Sequence, residues 1–140
     1  MKRPYICGPM TGCENNNYDR FSYLLRALRD IGLDPQSPHL LEANIPNTAK
    51  VEMDKGALYR MVIPGDVYML STCDSAIALP GWKYSEGTGF ELSAARLFRQ
   101  PIVTRRDPLL DQLDGLTDPF KRWVDTLIKE YDLASNASHP

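Results

Sequence analysis

At 140 residues, with a net charge of −2 and 43% hydrophobic residues, the chain has the length of one domain and enough apolar content for a core. The charge balance excludes a basic surface for long nucleic acid or acidic membranes, and no apolar run approaches the ~20 residues of a membrane span. Three cysteines, Cys7, Cys13 and Cys73, make an odd number without ligand-like spacing, which points to a reducing cytoplasm and away from a disulfide framework or a metal site.

Lys2 and Arg3 open the chain without a secretory core behind them, because Gly8-Pro9 ends the apolar run at once. Pro4 to Cys7 has the pattern of a short buried strand, and Gly8 to Asn17 that of a long loop with turn residues at both ends. Tyr18, Phe21, Leu24, Leu25, Leu28 and Ile31 recur at helical spacing, with Gly32 as a C-cap. Leu33 to Gln36 is a strand candidate that ends at Ser37-Pro38-His39, and residues 40–50 are irregular. A helix is expected from about Val51 to Thr72, bent or restarted at Pro64-Gly65.

Ser75 to Leu79, short and continuously apolar, is the expected central strand. Pro80 to Gly87 is a loop that opens onto a second helix, and Ile102 to Thr104 is another strand. After a polar stretch from Arg105 to Gly115, the spacing of Phe120, Trp123, Val124, Leu127, Ile128 and Tyr131 marks a C-terminal helix. Residues 1–133 are expected to form one domain and 134–140 a flexible tail. Strands alternating with helices imply an α/β sandwich around a mainly parallel sheet.

Two acids stand where such helices should be oily. At about 100° per residue, Phe90, Ala94, Leu97 and Phe98 gather on one side of the second helix, and Ser93, Arg96 and Arg99 take the other. Glu91 falls inside the apolar arc. Asp66 lies in the middle of a face formed by Val62, Ile63, Met69, Leu70 and Cys73. Burying a carboxylate costs several kcal/mol in rough terms unless it is paired or protonated. Two inward carboxylates suggest paired acid chemistry. The structural alternative is that each caps a neighbouring helix or pairs with an arginine, with Pro64-Gly65 making Asp66 an N-terminal helix residue.

In parallel sheets ligands bind beyond the carboxyl ends of the strands, which here are the loops Gly8–Asn17 and Pro80–Gly87. Ser85, Gly87, Thr88 and Gly89 at a helix start form a candidate phosphate cradle, though a serine N-cap also occurs at helices that bind nothing. Trp82 either stacks on a base or plugs the edge of the core. His39 is a candidate substrate contact or a surface loop residue. Asn15 to Asn17 either read a base or simply form a turn and cap.

Four blocks taken together resemble the nucleoside 2-deoxyribosyltransferase-like superfamily. They are Tyr5-Ile6-Cys7-Gly8-Pro9-Met10-Thr11-Gly12, Asp66 with its spacing of eight residues to Asp74, Asp74-Ser75-Ala76-Ile77-Ala78-Leu79, and Ser85-Glu86-Gly87-Thr88-Gly89-Phe90-Glu91-Leu92. The resemblance implies a single-domain, Rossmann/flavodoxin-like three-layer sandwich and cleavage of the N-glycosidic bond between a base and a (deoxy)ribose. Glu91 would be the nucleophile of a retaining mechanism, Asp66 would protonate or hold the departing base, and Tyr5 would orient Glu91. Gly8, Pro9 and Met10 would line the substrate loop, with Trp82, Ser85, Gly87 and Gly89 opposite. Asp74 is read as a cap at the strand start. No metal or organic cofactor is implied. The expected partners are a small nucleotide or nucleoside and further copies of the chain, in a homo-oligomer with shared active sites.

The transferases of that superfamily place an acid six residues before the nucleophile, where this chain has Ser85. A serine there resembles the branch that hydrolyses nucleoside 5'-monophosphates, so the leading expectation is a nucleotide N-glycosidase. Transfer of deoxyribose to a second base is the nearest rival. A non-catalytic nucleotide-sensing domain is the rival from another class, and NAD cleavage ranks last because no dinucleotide fingerprint is present.

Overall fold

The computed structural model describes residues 1–10, 13–39, 54–112 and 115–133. In chain order it contains β1 (Pro4–Cys7), α1 (Tyr18–Asp30), α2 (Lys55–Ser71), β2 (Ser75–Ala78), α3 (Glu86–Leu97), β3 (Ile102–Thr104), α4 (Pro108–Gln112) and α5 (Asp118–Glu130). The irregular stretch 40–50, the expected helix start at Val51 and the tail 134–140 lie outside the described residues, as do Thr11 and Gly12.

The strands run parallel in the order β1-β2-β3, with Tyr5 opposite Ala76 and Ala76 opposite Ile102. Gln36 adds a parallel bridge beside Tyr5 on the outer edge of β1, where Ile6 N donates to Gln36 O and Gln36 N to Pro4 O. The candidate strand at Leu33–Gln36 is thus reduced to a single bridge, but it sits where a flavodoxin-like sheet has its outer strand. The chain leaves β1 first toward that edge and later returns on the other side as β2. The carboxyl ends of β1 and β2 therefore flank the switch point where such folds open a crevice.

Successive side chains of a strand point to opposite faces, and β1 sorts its residues accordingly. Ile6 joins Ile77, Leu79 and Val103 against α1 and α5, through Phe21, Leu24, Leu28, Phe120, Trp123 and Leu127. Tyr5 and Cys7 join Ala76 and Ala78 against α2 and α3, through Leu70, Cys73, Leu92 and Ala95. The result is a three-layer α/β sandwich of the flavodoxin-like type, as expected. Ala76, Ala78 and Ala95 are small, which makes room for the Tyr5 ring beneath α2 and α3.

Two details of the helices differ from the sequence pattern. α2 does not restart at Pro64 but runs through it, from the Asp54 cap whose carboxylate accepts Ala57 N at 2.7 Å. Pro64 and Arg60 are both exposed, so the carbonyl deprived of its donor meets water and the helix tolerates the ring. In α3 the inward face is Thr88, Glu91, Leu92 and Ala95. Phe90 and Leu97 point outward at 55% and 78% exposure, with Phe98 at 40%. The arc of large residues is the outer one, and Leu92 and Ala95 supply the apolar contact with the sheet. The stretch Arg105–Gly115, expected to be merely polar, contains the short helix α4.

Asp74 caps the amino end of β2. Its carboxylate accepts the amides of Lys2 at 2.6 Å and Arg3 at 3.0 Å. Partial burial works against its charge, but those amides and the Ser75 hydroxyl outweigh it and hold the carboxyl below its ordinary value. This cap lies at the end of the sheet opposite the crevice.

Candidate active site

Tyr5, Asp66 and Glu91 meet on the α2/α3 face. Tyr5 is fully buried, Asp66 is 3% exposed and Glu91 5%. The Tyr5 hydroxyl donates to Glu91 Oε2 in a short hydrogen bond. Asp66 lies mid-helix on the buried stripe of Val62, Leu70 and Cys73, so it is no N-terminal residue of α2. Burial pushes the Tyr5 phenol well above its ordinary value, and the charges of Glu91 and Asp66 push it further. Tyr5 is therefore a neutral donor at physiological pH. The Cys7 thiol is raised for the same reasons, burial first and Glu91 second.

The loops stand above this cluster at the carboxyl ends of β1 and β2. Gly8 is required there, since a Cβ would lie 2.7 Å from the Leu79 Cβ. Gly81 has a left-handed backbone (φ 86), and a Cβ on it would come 3.2 Å from Pro9 Cγ. The two loops are thus pressed together. Trp82 is partly buried against the Tyr5 face, whereas Met10 packs against the opposite core. For Trp82, plugging the edge of the core is what the packing displays.

Ser85 is the N-cap of α3. Its Oγ accepts Thr88 N at 3.2 Å and the Thr88 hydroxyl at 2.9 Å. With both lone pairs of Oγ engaged, the Ser85 proton is left to donate. A Cβ at Gly87 would make only ordinary contacts, with Tyr59 and Ile63, and one at Gly89 would meet nothing within 4 Å. Neither glycine is demanded by protein packing. His39, read as a loop residue, is half-buried, with its ring edge-on to Phe21 at 4.6 Å and to Tyr18 at 5.7 Å.

No group of three or more potential metal ligands occurs among the described residues. No helix there is long and apolar enough to cross a membrane.

The family model matching residues 2–104 is described as a domain of unknown function, DUF4406. The chain belongs to this family. No curated protein matches it in sequence. Among solved structures it is similar to the 2-deoxyribosyltransferase of the psychrotolerant bacterium Bacillus psychrosaccharolyticus, at 20% identity and TM-score 0.56 over 89% of this chain and 95% of that one. It is also similar to the CMP N-glycosidase BcmB of Clostridium botulinum, at 18% identity and TM-score 0.54 over 90% of this chain and 98% of that one. This DUF4406 chain shares the fold of these two enzymes.

Three polar residues at the crevice do what their sequence context does not signal. Thr88 binds the Ser85 hydroxyl through both its amide and its own hydroxyl. Asn17 is buried with φ 60 and does not cap α1; its Nδ2 donates to Pro9 O at 2.9 Å. Asp111 accepts Gly81 N at 2.7 Å. An asparagine just before a helix signals a cap in sequence, and only tertiary packing redirects it to another loop.

Proposed function

We propose that this chain is an enzyme that cleaves the N-glycosidic bond of a nucleoside 5'-monophosphate. The observation that carries the reading is the buried hydrogen bond from Tyr5 to Glu91, with Asp66 near enough to act on the same phenol, under the crevice at the switch point. Tyr5 fixes the rotation of the Glu91 carboxylate. A Glu91 oxygen attacks the anomeric carbon as the bond to the base breaks, and the bonding electron pair leaves with the base. Asp66 supplies or steers the proton that the base takes up. Water then attacks the glycosyl ester, loses a proton to Asp66, and releases the sugar phosphate with Glu91 regenerated. Two displacements at one carbon retain its configuration.

The nucleotide preference rests on Ser85. Its hydroxyl and the first-turn amides of α3, which lack intrahelical acceptors, suit phosphate oxygens. The likeness to a CMP N-glycosidase supports this substrate class. Deoxyribosyl transfer is the second reading, favoured by the likeness to a 2-deoxyribosyltransferase. It differs only in that a base, and not water, captures the glycosyl ester. Homo-oligomerisation is supported by the outward faces of α2 and α3, where Met61, Tyr68, Phe90 and Leu97 are exposed. A second copy covering them would remove these side chains from water.

The test is a panel of nucleosides and 5'-monophosphates, with free base read by chromatography and Glu91→Ala run alongside. Base released from monophosphates by the wild type alone is the expected result. Release only with a second base present would move the chain to the transferases. Tight binding without turnover, unchanged by Glu91→Ala, would sink the catalytic reading and leave a nucleotide sensor.

A further inference from the structure

We infer that Asp111 is a positioning residue for the crevice: through Gly81 it holds the Pro80–Ser85 loop, with Trp82 and Ser85, in register over Glu91. The inference rests on the functional reading above for where substrate lies.

The buried polar residues that the chemistry leaves unused point to it. Asn17 and Arg20 are each 3% exposed, near the start of α1. Burying a guanidinium is costly unless its donors are met. Arg20 Nε donates to Gly115 O at 2.8 Å and Nη1 to Leu110 O at 3.3 Å, with the guanidinium 4.9 Å from the centre of the Phe120 ring. Those carbonyls bracket Asp111. A helix as short as α4 has no stability of its own, so its place is set by Arg20 and by the burial of Leu110. From there the Asp111 carboxylate takes Gly81 N at 2.7 Å. Gly81 is pressed on Pro9, and Pro9 O is held by Asn17. The start of α1 thus fixes both loops, one directly through Asn17 and one through Asp111. Beside the contact with Pro9, the loop's own backbone bonds run from Trp82 N to Leu79 O, Tyr84 N to Gly81 O and Ser85 N to Trp82 O, and Asp111 is the side chain that takes the Gly81 amide.

Asp111 touches neither Tyr5, Asp66 nor Glu91 in any described hydrogen bond, so its loss acts on binding and not on the chemical step. The variants are Asp111→Leu, which removes the acceptor, and Asp111→Asn, which keeps a carbonyl oxygen at the same place. Amide hydrogen exchange of residues 80–85 in the ligand-free protein is read beside steady-state kinetics on the nucleotide that the wild type cleaves. For Asp111→Leu the expected results are exchange about tenfold faster in that segment and KM raised about tenfold with kcat within about threefold. Asp111→Asn should restore both. Unchanged exchange in Asp111→Leu overturns the inference. So does a kcat loss matching the KM change, or a defect that Asp111→Asn shares, since both mark a general structural role. Should the wild type cleave nothing, the functional reading falls, and the exchange data alone decide whether Asp111 holds the loop.

Discussion

On one face of the sheet, Ile6, Ile77, Leu79 and Val103 meet α1 and α5 through a cluster of large apolar side chains, with the buried Arg20 guanidinium beside the Phe120 ring. On the other, Tyr5, Cys7, Ala76 and Ala78 meet α2 and α3, and two carboxylates are buried among them. The strands are the same; period-two alternation hands the apolar set to one side and the tyrosine to the other. The difference suggests a division of labour. The first face supplies mainly apolar burial, its Arg20 guanidinium met by the carbonyls of Gly115 and Leu110, and the second accepts the cost of desolvated acids, as functional sites commonly do.

Removing the proposed nucleophile breaks the comparison most sharply. Glu91→Gln should lower base release by about a thousandfold or more while leaving the thermal midpoint unchanged or higher, because a costly buried carboxylate is gone. A stability loss comparable to that of a core truncation would show that Glu91 is a structural acid. The opposite face predicts the opposite split. Leu24→Ala, at a fully buried position, should cost about 2–5 kcal/mol and leave turnover per folded molecule intact. Urea unfolding alongside the base-release assay reads both quantities.

Tyr5→Phe lies between these extremes. Deleting the hydroxyl removes the buried hydrogen bond to Glu91, with an expected cost of about 1–3 kcal/mol and a fall in kcat of about tenfold to a hundredfold. The double variant Tyr5→Phe/Glu91→Leu should be more stable than Tyr5→Phe alone, because the desolvated carboxylate is gone with the hydroxyl that served it. Additive losses in that cycle would mean that the hydrogen bond contributes nothing.

Much of this contrast is legible in the chain. Asp66 and Glu91 stand out as acids on helical stripes, and Asp66 keeps its expected neighbours Val62, Leu70 and Cys73 in the structure. Glu91 is inward, as its place in the pattern predicts, but the large apolar residues around it are not. The pattern places Phe90, Leu97 and Phe98 inside, yet they face out, since periodicity reports that a helix has two sides and not which one the sheet admits. The pairing of Tyr5 with Glu91 came from the resemblance, because two residues so far apart in sequence carry no local signal of contact. Asn17 and Asp111 were out of reach for the same reason. Each is a common turn or helix-start residue whose partner lies in another loop.

The smallest expected effect distinguishes the faces by pH. Burial raises the Tyr5 phenol above its ordinary 10.0 and the thiols of Cys7 and Cys73 above 9.0. All three lie on the α2/α3 side, and the opposite core cluster contains neither a buried tyrosine nor a cysteine. In the unfolded chain these groups lose their protons at the ordinary values, while the folded chain still holds them. The unfolded state therefore binds fewer protons as pH climbs past that range, and unfolding becomes progressively easier. The stabilisation is complete below the thiol value and is withdrawn as pH rises toward the raised folded values. Urea midpoints measured between about pH 8 and 11 should fall with pH, and Cys7→Ala should flatten the slope where Leu24→Ala shifts the whole curve without changing its shape. Equal slopes in Cys7→Ala and the wild type would assign the alkaline loss to groups outside this face. Base release should stay level up to about pH 9 as far as Tyr5 is concerned, because the phenol that holds Glu91 keeps its proton there.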